Sequence, residues 1–270
     1  MQTLRVNGYD MAYLEIGTGR PLVCVHGTLG DFRTWSAVLG PLSKNHRVIS
    51  VSLRRFFPEH WDGVGDDYLM VQHISDMIGF LERLGDGPVD MMGHSRGGHI
   101  AFRTAQLRPD LLRRLVLAEP GGELDTTLDQ AATPDGVSQR AARFAAAAAK
   151  VSDGDIEGAL KLFFDTIEGD GAWGRLPAAP KQQLRDNVFT LIGQAGENRK
   201  PYARTEAQSI ETPTLFIGGA ATKGSLPAVL RALAAQVPSA RTAMIEGCGH
   251  WMFEQAPQEF SAIVTEFLQD

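Results

Sequence analysis

The sequence predicts an α/β fold in which helices flank a mostly parallel, twisted sheet of about eight strands. Short runs rich in Val, Ile and Leu alternate with stretches of helical periodicity in residues 1–120 and again in residues 211–270. This alternation is typical of a parallel sheet buried on both faces. It stops in residues 121–210, which are helical and contain no convincing strand. We therefore expect a core domain of residues 1–120 and 211–270, with residues 121–210 as a helical cap inserted between strands 6 and 7.

The elements of the first 120 residues can be assigned in order. The stretch TLRVNGYDMAYLEIG alternates apolar and polar residues around the turn residues Asn7 and Gly8, which predicts a hairpin. Further strands follow at RPLVCVHG, RVISVSL, PVDMMG and LRRLVLAEP. The predicted helices between them are DFRTWSAVLGPL, which Asp31 can cap, VQHISDMIGFLERLG, which ends at Gly85, and GGHIAFRTAQLRP, which ends at Pro109.

The rest of the chain first departs from this alternation and then resumes it. The alanines of SQRAARFAAAAAKV favour a helix, and DIEGALKLFFDTIEG and KQQLRDNVFTLIGQAG each show an apolar helical face. Strand TPTLFIGG, helix PAVLRALAAQV, strand ARTAMIEG and helix PQEFSAIVTEFLQ complete the predicted core.

Composition narrows the classes of function. The chain has 270 residues, 43% of them hydrophobic, and a formal net charge of −6, so we expect neither a nucleic-acid nor a membrane partner. Cys24 and Cys248 are too few to form a disulfide framework. The N-terminus does not resemble a signal peptide, and no apolar run reaches the length of a membrane span. We expect a soluble, cytoplasmic protein.

One short motif carries the chemistry. Gly93-His94-Ser95-Arg96-Gly97 matches the nucleophile-elbow pattern Gly-x-Ser-x-Gly, and it lies between a predicted strand and a predicted helix as that pattern requires. The glycines allow the strained turn that exposes the serine hydroxyl. The helix N-terminus that follows favours a developing negative charge. We therefore predict that Ser95 is a nucleophile.

A serine nucleophile needs an oxyanion hole and a base. The loop HGTLGD follows the third strand and can direct a backbone N–H at Ser95. We predict that Thr28, or Leu29 if the loop is shifted, supplies one N–H of the oxyanion hole. Arg96 is predicted to supply the other. His250, which follows the last strand in the stretch IEGCGHWMFEQAP, is the predicted general base. His26 is expected to shape its loop.

Together these residues resemble the α/β-hydrolase family over nearly the whole chain, through the His-Gly loop, the elbow, the helical insertion before the seventh strand and the GCGHWMFEQAP ending. In that family a triad acid usually follows the seventh strand. Here the corresponding segment is LFIGGAATKGSLPAV, with Ala221 or Thr222 where the aspartate would stand. The resemblance thus leaves one catalytic position unfilled.

Some members of the family place the acid after the sixth strand, where this chain has LVLAEPGG. Glu119 lies at the end of that strand and could orient His250, so we predict that it is the triad acid. Glu123 and Asp125 are the weaker alternatives. A second departure from the family is the segment SLRRFFPEHWDG. Its residues from Arg54 to Trp61 could line a pocket or could pack as a loop. We favour the packed loop.

The resemblance implies a serine hydrolase that cleaves a carboxylic ester or related acyl bond through an acyl-enzyme, with no metal and no cofactor. The expected partner is a small-molecule substrate that is partly apolar. The oligomeric state stays open, a homo-oligomer included. Two alternatives remain at this stage: a cofactor-free lyase or oxygenase that uses His250 as a base, and a ligand-binding protein with an incomplete triad.

Overall fold

The aliphatic runs predicted as strands form one sheet in the computed structural model of the chain, which describes residues 1–130 and 139–269. The strands are β1 (Gln2–Val6), β2 (Tyr9–Ile16), β3 (Pro21–Val25), β4 (Arg47–Val51), β5 (Val89–His94), β6 (Leu112–Ala118), β7 (Thr214–Gly219) and β8 (Ala240–Ile245). Their order is β1-β2-β4-β3-β5-β6-β7-β8. β2 runs antiparallel to β1 and β4, and the other neighbouring strands are parallel. The predicted eight-stranded, mostly parallel sheet is confirmed.

Helices follow the strands much as the periodicity predicts. In the described part of the chain they are α1 (Ser36–Ser43), α2 (Met70–Leu84), α3 (Arg96–Leu107), α4 (Gln139–Ser152), α5 (Ile156–Glu168), α6 (Ala172–Arg175), α7 (Ala178–Asp186), α8 (Thr190–Ala195), α9 (Arg204–Gln208), α10 (Leu226–Ala234), α11 (Met252–Gln255) and α12 (Pro257–Gln269), with short 3₁₀ segments at Phe32–Trp35 and Pro109–Leu111. None of these helices is long and apolar enough to cross a bilayer.

The predicted helix signals act where they were expected. The Asp31 carboxylate accepts a hydrogen bond from the Arg33 N–H at 2.8 Å and caps the 3₁₀ segment that leads into α1. Gly85, with φ of 70°, follows the last residue of α2 in the left-handed region that favours glycine. Local sequence therefore determines where the 3₁₀ segment begins and where α2 ends.

The period-two alternation of a strand divides the core into two layers. On β3, Val23 and Val25 pack on one face of the sheet in a cluster that includes Phe80 of α2 and Phe102 of α3. Leu22 and Cys24 point to the other face, where the cluster contains Leu42 of α1 and Phe260 of α12. β3 is thus buried on both faces, which explains its uninterrupted apolar sequence.

Helices α4–α9 lie between β6 and β7 in the chain and include a third apolar cluster. This cluster contains Phe163 and Leu191 and also reaches Leu29 in the loop after β3. Residues 131–138 of the predicted helical block lie outside the described residues. The stretch KQQLRDNVFTLIGQAG is divided into α7 and α8 because Asn187 leaves the helix and turns its side chain to other parts of the chain.

Candidate active site

Ser95 occupies a tight turn between β5 and α3. Its φ of 51° and ψ of −113° lie outside the regions that most side chains adopt, as expected of a strained elbow. A Cβ on Gly93 would lie 2.3 Å from the Gly97 carbonyl oxygen, and a Cβ on Gly97 would lie 2.3 Å from the Val25 carbonyl oxygen. Both flanking positions therefore require glycine for steric reasons.

His250 lies after β8 and is bound to Glu119. The distance from His250 Nδ1 to Glu119 Oε2 is 2.6 Å, and both residues are buried. A carboxylate accepts hydrogen bonds, so Nδ1 carries the proton and Nε2 is the ring nitrogen that can accept another. The His250 ring also packs against that of His94, the residue before Ser95, with centroids 4.3 Å apart. The structure thus brings the predicted base and acid together beside the elbow.

Glu119 has a backbone conformation with positive φ, which residues other than glycine rarely adopt. It follows β6 with φ of 42°, and its Oε1 accepts a hydrogen bond from the Gly219 N–H at 3.0 Å. Burial raises the pKa of its carboxyl group, while the hydrogen bond from the Gly219 N–H acts to lower it. Ala221 or Thr222 stands where the resemblance places the family's aspartate, and the carboxylate beside the end of β7 comes instead from Glu119, after β6.

The loop after β3 contacts the elbow directly. A Cβ on Gly27 would lie 3.2 Å from Ser95 Cβ, which brings the Thr28 backbone close to the serine. The Thr28 hydroxyl donates to Gln194 Oε1 at 2.8 Å. Leu29 is buried with φ of 61°. Arg96, the other predicted donor, is the first residue of α3, where backbone N–H groups have no partner within the helix.

His26 shapes this loop, as predicted. The Leu53 N–H donates to His26 Nε2 at 3.1 Å, and His26 Nδ1 lies 2.8 Å from the Gly27 carbonyl oxygen. Burial lowers the pKa of His26 to about 4, so the ring stays neutral and donates through Nδ1.

The Arg96 side chain enters a buried ionic network beneath the site. Its guanidinium makes two hydrogen bonds to Glu197, each of 2.7 Å, and donates to His73 Nδ1 at 2.8 Å. It also lies over the Tyr68 ring, 4.8 Å from the centroid. The elbow is therefore tied through Arg96 to the segment that follows α8.

Two residues that the sequence analysis did not assign also hold His250. His94 Nε2 lies 3.0 Å from the His250 carbonyl oxygen, so this nitrogen donates. Glu168, at the end of α5, accepts a hydrogen bond from the His250 backbone N–H at 3.1 Å. His94 occupies a variable position of the elbow motif, which was its only signal; nothing in the local sequence of Glu168 points to His250.

The other candidate positions are used elsewhere. In the segment from Arg54 to Trp61, Arg54 pairs with Asp76, Arg55 pairs with Glu59 and Asp67, and Phe56 is buried in the core. The favoured interpretation of this segment as a packed loop agrees with these contacts. Asp125, one of the alternative acids, accepts hydrogen bonds from Thr127.

One pocket adjoins the elbow, and a second lies nearby. The first, of about 240 Å³, lies between the loop after β3 and helices α5–α7, and its lining includes Thr28, His94 and Glu168. The second, of about 220 Å³, includes Gly122, Gln194 and Arg199 in its lining. No group of three or more His, Cys, Asp or Glu residues within residues 1–130 and 139–269 is arranged to hold a metal ion.

A serine elbow on a sheet of this strand order is the architecture of an α/β hydrolase. A sequence model of the alpha/beta hydrolase family matches residues 22–263, and the chain belongs to this family.

One relative in sequence and two solved structures are also similar to this chain. The sn-1-specific diacylglycerol lipase of Mus musculus is 27% identical over an alignment of length 268, which covers 92% of this chain and 80% of the lipase. The crystal structure of the enol-lactonase from Burkholderia xenovorans LB400 matches with a TM-score of 0.81 at 19% identity, covering 99% of this chain and 100% of the lactonase. A thermophilic esterase from Thermogutta terrifontis matches with a TM-score of 0.79 at 22% identity, covering 99% and 96%. The two structural likenesses show the shared fold.

Proposed function

We propose that this α/β hydrolase cleaves a carboxylic ester or related acyl bond of a small molecule through an acyl-enzyme, with Ser95, His250 and Glu119 as its triad. The observation that carries the proposal is the buried contact of 2.6 Å between His250 Nδ1 and Glu119 Oε2 beside the strained Ser95. It supplies the orienting carboxylate that is missing after β7. The names of the lipase, lactonase and esterase relatives agree with ester chemistry.

In the first half of the reaction His250 Nε2 takes the Ser95 proton as the hydroxyl oxygen attacks the ester carbonyl. The developing oxyanion is stabilised by the backbone N–H groups of Thr28 and Arg96. Collapse of the tetrahedral intermediate returns the proton to the leaving alcohol and leaves an acyl group on Ser95. Water, activated by the same nitrogen, then releases the acid.

Glu119 has two effects in this cycle. Its hydrogen bond fixes the tautomer in which His250 Nδ1 carries a proton, and its charge stabilises the imidazolium that forms when Nε2 becomes protonated. Both effects need an ionised carboxylate. The Gly219 N–H favours that form and opposes the desolvation that raises the pKa of Glu119.

Residues 121–210 act in this proposal as a cap over the core of residues 1–120 and 211–270. Gln194 of α8 accepts a hydrogen bond from Thr28, and Glu168 of α5 accepts one from His250. These contacts link the helical block to the proposed oxyanion loop and the base. The cap would set substrate choice. The proposed substrate is a small, partly apolar ester, and the enzyme would need neither a metal nor a cofactor. The proposed location is cytoplasmic.

Labelling of Ser95 tests the proposal. A fluorophosphonate should add to wild type in a one-to-one ratio at Ser95, and the Ser95→Ala variant should neither be labelled nor turn over p-nitrophenyl acetate. We expect a loss in kcat of about a thousandfold or more. Thr222→Ala, which keeps all three triad side chains, shows whether a change beside the acid is enough to abolish labelling.

Retained ester turnover in Ser95→Ala would contradict an acyl-enzyme and favour the lyase or oxygenase alternative. If wild type cleaves no ester in a series of increasing acyl length and is not labelled, the ligand-binding alternative gains instead.

A further inference from the structure

Arg199 and Glu197 line the second pocket, and together with Arg96 they form a cluster that has one more positive than negative charge. Arg96 and Arg199 both contact the single carboxylate of Glu197. The Arg96 contact is the strong one, with two hydrogen bonds of 2.7 Å. Glu197 is therefore already matched by Arg96, and within residues 1–130 and 139–269 the second guanidinium pairs with no other carboxylate.

Arg199 is poorly satisfied for a buried cation. In the described part of the chain its one hydrogen bond is a 3.3 Å contact from Nη2 to Glu197 Oε2, although a guanidinium has five N–H donors. Its side chain is only 16% exposed. Burial, followed by the charge of Arg96, lowers the pKa of Arg199. Burial and then the charge of Arg199 likewise hold the pKa of His99 well below its usual range. The region thus has a positive potential.

The pocket that Arg199 lines lies near the nucleophile. It has a volume of about 220 Å³ and is also lined by Gly122, Gln194 and Asn198. The neighbour of Gly122 is Gly121, on which a Cβ would lie 3.3 Å from Ser95 Oγ. Gln194 binds the Thr28 hydroxyl. One lining residue, Gly122, thus follows a residue that lies against Ser95, and another, Gln194, binds the proposed oxyanion loop.

Two acidic residues also line this pocket, Glu197 and Glu123. Glu123 is exposed, so water screens its charge, and it does not offset the buried Arg199 to the extent that Glu197 offsets Arg96. Amide groups of Gln194 and Asn198 offer further hydrogen bonds to an anion. The wall also includes Phe144, which gives the carbon chain of a ligand an apolar surface.

We propose that this pocket binds a carboxylate of the substrate, so that the esters cleaved at Ser95 are those whose acid or alcohol part carries a second, ionised carboxyl group. Arg199 is the residue that pairs with this group, in the forked geometry that suits a guanidinium and a carboxylate. The inference rests on the proposed ester hydrolysis and adds the chemical class of substrate to it.

Two pairs of synthetic esters test the inference on wild type. In the first pair, p-nitrophenyl hydrogen adipate is compared with the isostere in which a methyl ketone replaces the terminal carboxylate. In the second pair, meta-acetoxybenzoate is compared with meta-acetylphenyl acetate, so the charge lies on the alcohol side. We expect kcat/KM of the charged ester to exceed that of its neutral partner by about tenfold or more in one pair, because one charge-assisted contact contributes that much.

Variants then assign the preference to Arg199. The ratio of charged to neutral kcat/KM should fall about tenfold in Arg199→Met and less in Arg199→Lys, which keeps a positive charge. Lys200→Met is the matched control, since Lys200 is adjacent in sequence but 73% exposed and pairs with Glu206; its ratio should equal that of wild type.

The outcomes separate the two proposals. If the neutral esters are cleaved as fast as the charged ones in both pairs, or if Arg199→Met keeps the full ratio, the carboxylate site is wrong and ester hydrolysis stands. If no ester of either pair is cleaved, the proposed function fails and the carboxylate site fails with it.

Discussion

His250 is held at three different atoms by residues from three parts of the chain. Glu119 binds Nδ1, Glu168 accepts from the backbone N–H, and His94 donates to the carbonyl oxygen. The ring contact fixes the tautomer, whereas the two backbone contacts fix the loop that carries the ring. A residue that binds only the backbone can therefore change the reaction without touching substrate.

Glu168 is the clearest case of such a positioning residue. Burial and then the Glu119 charge raise the pKa of Glu168, and the hydrogen bond from the His250 N–H opposes that rise. Burial and then the Glu168 charge raise the pKa of neighbouring Glu254 to about 7. Glu168→Gln keeps an acceptor oxygen for the N–H and removes the charge. A nearby negative charge favours protonated imidazole, so we expect the acid limb of the pH profile of kcat/KM to move to lower pH in this variant.

The profile distinguishes this role from a purely structural one. Glu157→Gln is the matched control, because Glu157 lies on the same helix, is exposed and pairs with Arg185; its profile should coincide with that of wild type. If the Glu168→Gln profile coincided with wild type too, the charge of Glu168 would have no part in the proton transfer.

At the level of elements, the elbow depends on how closely α3 approaches the neighbouring strands. The Ser95 N–H donates to the Ala118 carbonyl oxygen of β6 at 3.0 Å, and the Gly121 N–H donates to the Ser95 carbonyl oxygen at 2.8 Å. The turn is thus bonded to the end of β6, next to Glu119. These contacts hold the nucleophile and the acid in one rigid unit.

Gly97→Ala should break this unit. The added Cβ would lie 2.3 Å from the Val25 carbonyl oxygen and 2.5 Å from that of His26, so α3 would have to move away from β3. We expect the free energy of unfolding in urea to fall by about 1–3 kcal/mol or more, together with a loss of esterase activity.

Gly40→Ala provides the control on glycine itself. Gly40 lies in α1, and a Cβ there would meet no atom within 4 Å. This substitution should raise stability by about 0.5–1 kcal/mol through better helix propensity. Equal stability of Gly97→Ala and wild type would show that the close approach of α3 to β3 is not needed for folding.

Sequence patterns predict the ends of helices well where neighbouring residues determine them and poorly where residues distant in sequence determine them. The C-terminal end of α2 at Gly85 and the cap at Asp31 follow from one or two neighbouring residues. The break between α7 and α8 does not, because Asn187 leaves the helix to donate to Asp31 at 2.7 Å and to accept from the Phe57 N–H at 2.7 Å. Both partners are more than a hundred residues away in sequence.

Across the whole molecule, the same distinction separates the predicted site residues from those that were missed. Ser95, His250 and Glu119 each follow a strand whose carboxyl end reaches one edge of the sheet, so topology alone brings them near one another. Glu168 and Arg199 come from the helical block between β6 and β7. Glu168 reaches His250 and Arg199 reaches Glu197 through the packing of that block, for which periodicity carries no signal.

The helical block therefore determines more of the proposed chemistry than its sequence suggests. It supplies Gln194 to the loop after β3, Glu168 to the loop after β8 and Arg199 to the pocket near Ser95. In the proposed function the core carries the triad, whereas this block would define which ester reaches Ser95.

The measurement that tests the triad most directly is kcat/KM of Glu119→Gln with p-nitrophenyl acetate. Glutamine keeps an oxygen for the Gly219 N–H but presents no carboxylate to His250 Nδ1, so the useful tautomer is lost. We predict a fall of about 100-fold or more relative to wild type, with the fold retained by circular dichroism. Unchanged hydrolysis by Glu119→Gln would show that Glu119 is not the triad acid.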